Sequence, residues 1–189
     1  MEDFNIPPEC MQVIDRVLFT PEQIQKRIAE LGAQISEDYA GKSLLLIGVL
    51  RGVIFFMADL LRTIKIPVEL DFMSVSSYSP ESRDLGFVRL VKDLELSITD
   101  RHVLFVEDII DTGLTINYLL RTLKARQPAS LEVCVLFNKE KRRLIDLSLR
   151  YEGFNIPDYY IVGYGLDYRE KYRNIPFVGL LKAEVLQNG

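Results

Sequence analysis

The stretch Val103-Leu104-Phe105-Val106-Glu107-Asp108-Ile109-Ile110-Asp111-Thr112-Gly113-Leu114-Thr115 changes character twice within thirteen residues. Val103 to Val106 is an unbroken apolar run, the pattern of a strand buried on both faces of a parallel sheet. Glu107 and Asp108 end that run. Two isoleucines lead into the polar residues Asp111, Thr112, Gly113 and Thr115, and Ile116, Leu119, Leu120 and Leu123 then recur at helical spacing. The order expected is strand, acidic turn, helix. Open α/β sheets bind ligands at the carboxyl ends of their strands, and the N-terminus of the next helix presents free backbone N–H groups. Gly113 lets the backbone come close to an anion and Thr112 and Thr115 supply hydroxyl donors, so the turn reads as a phosphate cradle. Bare carboxylates repel phosphate. Glu107, Asp108 and Asp111 make sense if a divalent hard cation bridges them or if they meet hydroxyl groups, and a ribose phosphate offers both. A purely structural reading, an acidic loop capping a helix, explains Asp111 and Thr112 but not the Glu-Asp pair on the strand end.

The flanking sequence repeats the alternation of strand and helix. Leu44 to Val49 has the continuous apolarity of a second central strand and ends in Leu50-Arg51-Gly52, while Val53 to Arg62 is apolar enough for a buried helix. Arg51 thus sits in a strand-to-helix turn at the same sheet edge, facing either the ligand or solvent. Further back, Val13 to Leu18 is an apolar stretch, and Thr20-Pro21-Glu22-Gln23 reads as N-cap, first-turn proline and capping partner. Ile24, Ile28, Leu31 and Ile35 form the apolar stripe of a surface helix. Val68, Leu70 and Phe72 alternate with Glu69 and Asp71, a strand with one wet face. Ser74 to Gly86 has the composition of a mobile polar loop, of the kind that is usually functional or disordered, and Phe87 to Lys92 is a short strand. Leu131 to Phe137 is a further apolar strand, followed by Asn138-Lys139-Glu140-Lys141-Arg142-Arg143, in which Lys141 and Arg142 read as a solvated turn. Tyr159 to Gly163 is a short strand, Gly163 and Gly165 permit a tight turn, and Asp167, Arg169, Glu170, Lys171 and Arg173 follow.

A chain of 189 residues with 48% hydrophobic composition has a sizeable core and is not disordered. With 23 basic against 27 acidic side chains, its net charge of −4 leaves no electrostatic footprint for nucleic acid. An anionic small substrate would need a local basic patch. No apolar run approaches membrane-spanning length and MEDFNIPPEC lacks the pattern of a signal peptide, so a cytoplasmic location without a membrane partner is expected. Cys10 and Cys134 are too few for a disulfide framework, and no His or Cys spacing suggests a metal site.

The run Val106-Glu107-Asp108-Ile109-Ile110-Asp111-Thr112-Gly113 resembles the 5-phosphoribosyl diphosphate (PRPP) binding motif of type I phosphoribosyltransferases, in the wording of the hypoxanthine-guanine branch. The resemblance extends over roughly Asp15 to Lys182 in five segments in family order. It implies an α/β fold with a mostly parallel central sheet flanked by helices, as one domain over 1–189 with a core of about 20–150 and a small hood from 1–19 and 151–189. The implied activity is purine salvage: transfer of the phosphoribosyl group from PRPP to hypoxanthine or guanine with Mg²⁺ as cofactor, giving IMP or GMP and diphosphate. A xanthine-preferring enzyme and an RNA-binding regulator on the same scaffold are the alternatives, the second disfavoured by net acidity. A homo-oligomer, dimer or tetramer, is expected, with no nucleic-acid partner.

The resemblance also implies residue roles. Asp111 matches the catalytic base, or a hydrogen-bond partner, at purine N7, and Glu107 to Thr115, including Ile109, Ile110, Leu114 and the Thr112-Gly113 pair, match the PRPP loop. Arg51 and Gly52 match a diphosphate loop that usually reads Leu-Lys-Gly and often holds a cis peptide. Arg173 matches a second diphosphate ligand. Lys139 matches the lysine that recognises the 6-oxo group, Tyr160 and Ile161 the purine-stacking position, where phenylalanine is usual, and Asp167 a residue near the base and second metal. Glu107, Asp108 and Asp167 are the implied metal ligands, Arg143 matches an arginine of no assigned role, and Ser77 and Tyr78 match the lid over the reacting centre.

Overall fold

The continuous apolar runs occupy the middle of a six-stranded sheet because only there are both faces covered. The computed structural model describes residues 6–77 and 88–187. In chain order these form α1 (Pro8–Gln12), β1 (Ile14–Phe19), α2 (Pro21–Asp38), β2 (Leu44–Leu50), α3 (Ile54–Thr63), β3 (Val68–Ser77), β4 (Val88–Lys92) and β5 (His102–Ile110). Then come α4 (Leu114–Lys124), β6 (Ser130–Asn138), a 3₁₀ turn (Glu140–Arg142), β7 (Tyr151–Asn155), β8 (Ile161–Val162), β9 (Val178–Leu181) and α5 (Ala183–Gln187). The main sheet has the order β4-β3-β2-β5-β6-β7, parallel throughout except for the antiparallel edge strand β4.

The period of two along each strand sorts its side chains between two cores. Leu44, Leu46, Leu104 and Val106 pack with Ile28, Leu31, Phe56 and Leu60 from α2 and α3. Leu45, Ile47, Val103 and Phe105 pack with Ile116, Leu119 and Leu123 from α4. Each fully buried aliphatic side chain stabilises the fold by roughly 1.5–3 kcal/mol relative to exposure. α2 starts where its sequence says: Gln23 N–H donates to Thr20 Oγ1 at 3.3 Å and Thr20 N–H to Gln23 Oε1 at 2.9 Å, a complete capping box.

β1, β9 and β8 form a second, three-stranded antiparallel sheet around Ile14, Val162, Phe177 and Leu181. Phe19, the last residue of β1, ties it to the main sheet, its ring lying 4.4 Å from that of Phe154 and 5.5 Å from that of Phe137. Tyr151–Asn155 lies in the stretch expected in the hood, but as β7 it pairs with β6 in the main sheet. Among the described residues no helix is long and apolar enough to cross a membrane.

Several local expectations are corrected. β5 continues through Glu107 and Asp108 to Ile110, because Glu107, Ile109 and Ile110 stay in register with Val135, Phe137 and Asn138 of β6. The acidic pair is therefore on the strand, and the turn is confined to Asp111–Gly113. α3 is amphipathic rather than buried, with Ile54 and Phe55 exposed and Phe56, Met57 and Leu60 inside. Ser74 to Ser77, expected in a loop, extends β3 and pairs with β4, for instance Val75 with Leu90. Of the lid pair, the Ser77 backbone ends β3, and Tyr78 lies outside the described residues. The strand expected over Tyr159 to Gly163 is only Ile161–Val162, since Tyr159 N–H turns back to the Pro157 carbonyl at 2.7 Å.

On β3 the expected alternation holds at Val68, Glu69 and Phe72 and fails at two positions: Leu70 is 38% exposed and Asp71 only 7%. Asp71 Oδ2 accepts the N–H groups of Glu95 and Leu96 at 2.7 and 2.9 Å, and Oδ1 that of Phe72 at 2.7 Å, so it pins the connection after β4. Burial by itself would raise its pKa, but these three donors and the Lys92 ammonium outweigh burial and hold it below the ordinary carboxylate value. Its stabilisation is therefore fully present above the unfolded aspartate pKa and is lost as pH falls through the lower folded one. Asp71→Asn is expected to cost about 1–3 kcal/mol at pH 7 in urea unfolding, with the gap to wild type closing under acid conditions. A gap that stays constant as the pH falls would show that the charge of Asp71 contributes nothing.

Candidate active site

β2, β5 and β6 run parallel, so Leu50, Ile110 and Asn138 end at one edge of the sheet. Over that edge opens a cavity of about 770 Å³. Its floor is the turn Asp111, Thr112 and Thr115; one wall is Leu50 and Arg51; another is Lys139 and Arg142; Tyr160, Glu170 and Arg173 come from the C-terminal segment. Ser74, Val75 and Ser76 of β3 complete the rim.

Gly113 has φ 83°, a left-handed conformation that glycine adopts without penalty, and it starts α4 with no side-chain cap. The leading N–H groups of α4 are thereby left to an anion, apart from that of Leu114, which donates weakly to Thr112 Oγ1 at 3.4 Å. Ile109 and Ile110 do not line the cavity: Ile110 is buried and Ile109 packs against the α2–α3 side. Ile161 is likewise buried in the core, beneath rather than beside Tyr160.

Lys139 is only 6% exposed and does not belong to the solvated charge run. Its N–H donates to the Ile110 carbonyl at 3.0 Å, and its Nζ lies 3.7 Å from Asp111 Oδ2 and 3.5 Å from Asp158 Oδ1. Arg142, expected in solvent, closes this cluster: its Nε is 2.9 Å from Asp111 Oδ1 and its NH1 3.0 Å from Asp158 Oδ1. Asp158 is held below the ordinary carboxylate value, because Arg142 and Lys139 outweigh the opposing effect of burial. Arg142 meets Asp111 as an ion pair but not along a hydrogen-bonding direction, so the buried Asp111 Oδ1 keeps an unused acceptor lobe among the described residues. The missed signal was the spacing: in a 3₁₀ turn, residues three apart eclipse, which brings Arg142 over Lys139. Arg143 points the other way, donating to the buried Asn138 Oδ1 from Nε and NH2 at 3.1 and 2.8 Å and to the Leu147 carbonyl at 3.0 Å. It braces the turn that carries Lys139.

Beneath the cavity, alternation along β5 puts Asp108 on the α3 side with Leu104 and Val106, and Glu107 on the opposite side. Burial pushes Asp108 up to about 6, against the opposing pull of the Ile109 N–H at 2.7 Å and the Arg173 charge. Burial, with the neighbouring Asp108 charge, pushes Glu107 well above the usual carboxylate range. For both carboxyls burial outweighs the groups that favour the charged form, which suits hydroxyl donors or an incoming cation. Gly52 is required by space: a Cβ there would collide with Asp108 Oδ2. The Leu50–Arg51 peptide before it is cis.

Arg173 donates from NH1 to the Gly165 carbonyl at 2.8 Å, while its NH2 meets Asp167 Oδ1 at 2.9 Å and Glu170 Oε2 at 3.1 Å. Arg51 NH2 reaches Glu170 Oε1 at 3.2 Å. Tyr160 is exposed on the cavity side, its ring edge-on to that of Tyr168 at 5.4 Å. Among the described residues no group of three or more His, Cys, Asp or Glu could hold a metal ion, so Glu107, Asp108 and Asp167 form no preformed cage. Asp167 is committed to Arg173 and to the Glu170 N–H, which its Oδ2 accepts at 2.9 Å.

Residues 18–169 match the phosphoribosyl transferase domain, and the chain belongs to that family. Its place there is the hypoxanthine-guanine branch. The hypoxanthine-guanine phosphoribosyltransferase of Streptococcus mutans serotype c is 47% identical over 174 residues, covering 92% of this chain and 97% of that one. That of Bacillus subtilis is 43% identical over 175 residues, covering 93% and 97%. A crystal structure of a hypoxanthine phosphoribosyltransferase from Staphylococcus aureus superposes with a TM-score of 0.91 at 44% identity, covering 95% of this chain and 98% of that one. The α/β architecture and the family expected from the sequence are thus both found.

The packing at Gly52 is testable. Gly52→Ala must displace the Asp108 carboxylate or the turn, and overpacking of this kind costs roughly 1–3 kcal/mol. Thermal unfolding is expected to move down accordingly, with PRPP binding weakened in parallel. Unchanged melting and binding would mean that the turn and Asp108 can separate freely.

Proposed function

We propose that the protein transfers the 5-phosphoribosyl group of PRPP to N9 of hypoxanthine or guanine, releasing diphosphate and forming IMP or GMP, a purine salvage reaction. The observation that carries this reading is the pairing of a buried lysine, Lys139, with Asp111 beside an uncapped helix N-terminus, all in one cavity. In this reading Lys139 meets the 6-oxo group, Asp111 the neighbouring N7 and the helix N-terminus the 5′-phosphate. The similarity to named hypoxanthine-guanine phosphoribosyltransferases supports the same substrates.

In this reading Thr112 to Thr115 hold the 5′-phosphate, Asp108 and Glu107 accept from ribose hydroxyls, and Arg51 and Arg173 bind diphosphate. As the bond from C1 to the diphosphate oxygen breaks, positive character grows on the ribose. The arginines offset the charge building on the leaving group, and the Asp111 acceptor takes the N7 proton as N9 joins C1. Tyr160 offers its ring face to the purine and Lys139 donates to O6. Mg²⁺ is usually held by one or two carboxylates plus substrate phosphates, which fits a donor set that forms no cage of its own. One or two of Asp108, Glu107 and Asp167 would hold it, Asp167 by giving up its contact with Arg173, and it would supply charge neutralisation on the diphosphate.

Initial rates with PRPP and four bases, hypoxanthine, guanine, xanthine and adenine, test the assignment. Adenine is expected to lag by roughly 10⁴ or more, because the Lys139 ammonium has no acceptor for its 6-amino group. Lys139→Ala should lower the hypoxanthine rate and narrow that gap. An unchanged ratio removes Lys139 from base selection. Asp111→Asn should retain PRPP affinity while turnover drops by about 10² to 10⁴, the span of general acid–base groups. A turnover within a few-fold of wild type would exclude Asp111 as the base. Chelation of divalent ions should abolish transfer, and added Mg²⁺ should restore it. Full activity in excess chelator would dismiss the metal.

A further inference from the structure

We propose that Glu170 is the internal counter-anion of the diphosphate site: in the free protein its carboxylate spans Arg51 and Arg173, and it competes with diphosphate for them. The inference rests on the assignment of those two arginines to the leaving group. Oε1 meets Arg51 NH2 at 3.2 Å and Oε2 meets Arg173 NH2 at 3.1 Å, so the two oxygens bridge residues from two separate segments that line one cavity. A diphosphate bound to both guanidinium groups must take over those same donors.

The two arginines are held differently. Arg173 keeps its contacts with the Gly165 carbonyl and Asp167 whatever Glu170 does, and its side chain is mostly covered. Arg51 is largely exposed, and Glu170 is its acidic partner from the C-terminal segment. Glu170 therefore lends Arg51 a fixed direction before substrate arrives. It is also easily displaced, because exposed ion pairs are weak.

The backbone carries the cost of aiming Glu170 inward. Arg169, Glu170 and Tyr172 have φ of 52°, 63° and 74°, left-handed values that are uncommon outside glycine. Such conformations persist where the surroundings overdetermine them and cluster at ligand sites. Here Asp167 Oδ2 accepts the Glu170 N–H, and Tyr168 and Lys171 exchange backbone hydrogen bonds at 3.1 Å in both directions. An internal anion at this point lowers the net gain from binding diphosphate. It favours release of the product after transfer, the step that limits turnover in many enzymes.

The test is titration of wild type and Glu170→Gln with magnesium diphosphate, by calorimetry and by inhibition against PRPP. Glutamine keeps the shape and removes the charge at an exposed position. Diphosphate should bind roughly three- to thirty-fold tighter to the variant, the span expected for two exposed ion pairs, with stronger product inhibition. In an Arg51→Gln background the gain from Glu170→Gln should shrink, a coupling that a merely structural glutamate would not produce. Unchanged or weaker diphosphate binding in Glu170→Gln, or a gain that is the same with and without Arg51, overturns the proposal alone. Wild type that binds no diphosphate in competition with PRPP overturns the assignment of the site, and the proposal with it.

Discussion

From Leu44 to Gly48 the chain is hydrogen-bonded in parallel on both sides, to Val68–Phe72 and to His102–Val106, and β6 continues the same register from β5. Parallel pairing without slippage makes the strand ends coincide, so the turns after β2, β5 and β6 are neighbours in space although far apart in sequence. The apolar side chains that lock the register are those that also separate the two cores, and a one-residue slip would exchange the faces of every one of them. The Asp111–Gly113 turn, the Arg51 turn and the Lys139 turn are thus brought together by burial, and the ion pairs of Lys139 and Arg142 with Asp111 then join two of them.

Once those turns meet, charge is distributed over two alternating groups. One runs Asp111, Arg142, Asp158, Lys139; the other runs Arg51, Glu170, Arg173, Asp167. Below them lie Asp108 and Glu107, whose carboxyls burial holds above the ordinary range. A chain with a net charge of −4 can receive an anionic substrate because Arg51, Lys139, Arg142 and Arg173 line this cavity, each with a carboxylate beside it.

The parts of this arrangement that depend on local pattern could be read in the sequence. The apolar runs of β2 and β5, the capping box at Thr20 and the glycine turn before α4 each follow from residues a few positions apart. Asp71 could not be read that way, because its alternation with Leu70 suits either face, and the choice is made by N–H groups from Glu95 and Leu96 more than twenty residues on. Arg142 was hidden for a similar reason: a charge run is solvated by default, and Asp111 and Asp158 from other segments draw it inward. Glu170 stood between two arginines of interest without its own signal, since its direction depends on left-handed backbone in a non-glycine stretch. β7 was assigned to the terminal segment because nothing in Tyr151–Asn155 names its neighbour in the sheet.

The second sheet has a consequence for the order in which the chain can be completed. β1 is followed directly by the Thr20 cap and α2, yet its strand partner is β9, near the other terminus. During synthesis the six strands of the main sheet leave the ribosome before Val178–Leu181 does, and domains assemble as their segments become available. Until then β1 lacks the strand that fills its backbone edge; in the completed fold the Phe19 ring against Phe137 and Phe154 ties it to the main sheet without β9. Pairing β1 with β9 closes a loop of most of the chain, so the largest loop-closure cost of the fold falls on its last strand.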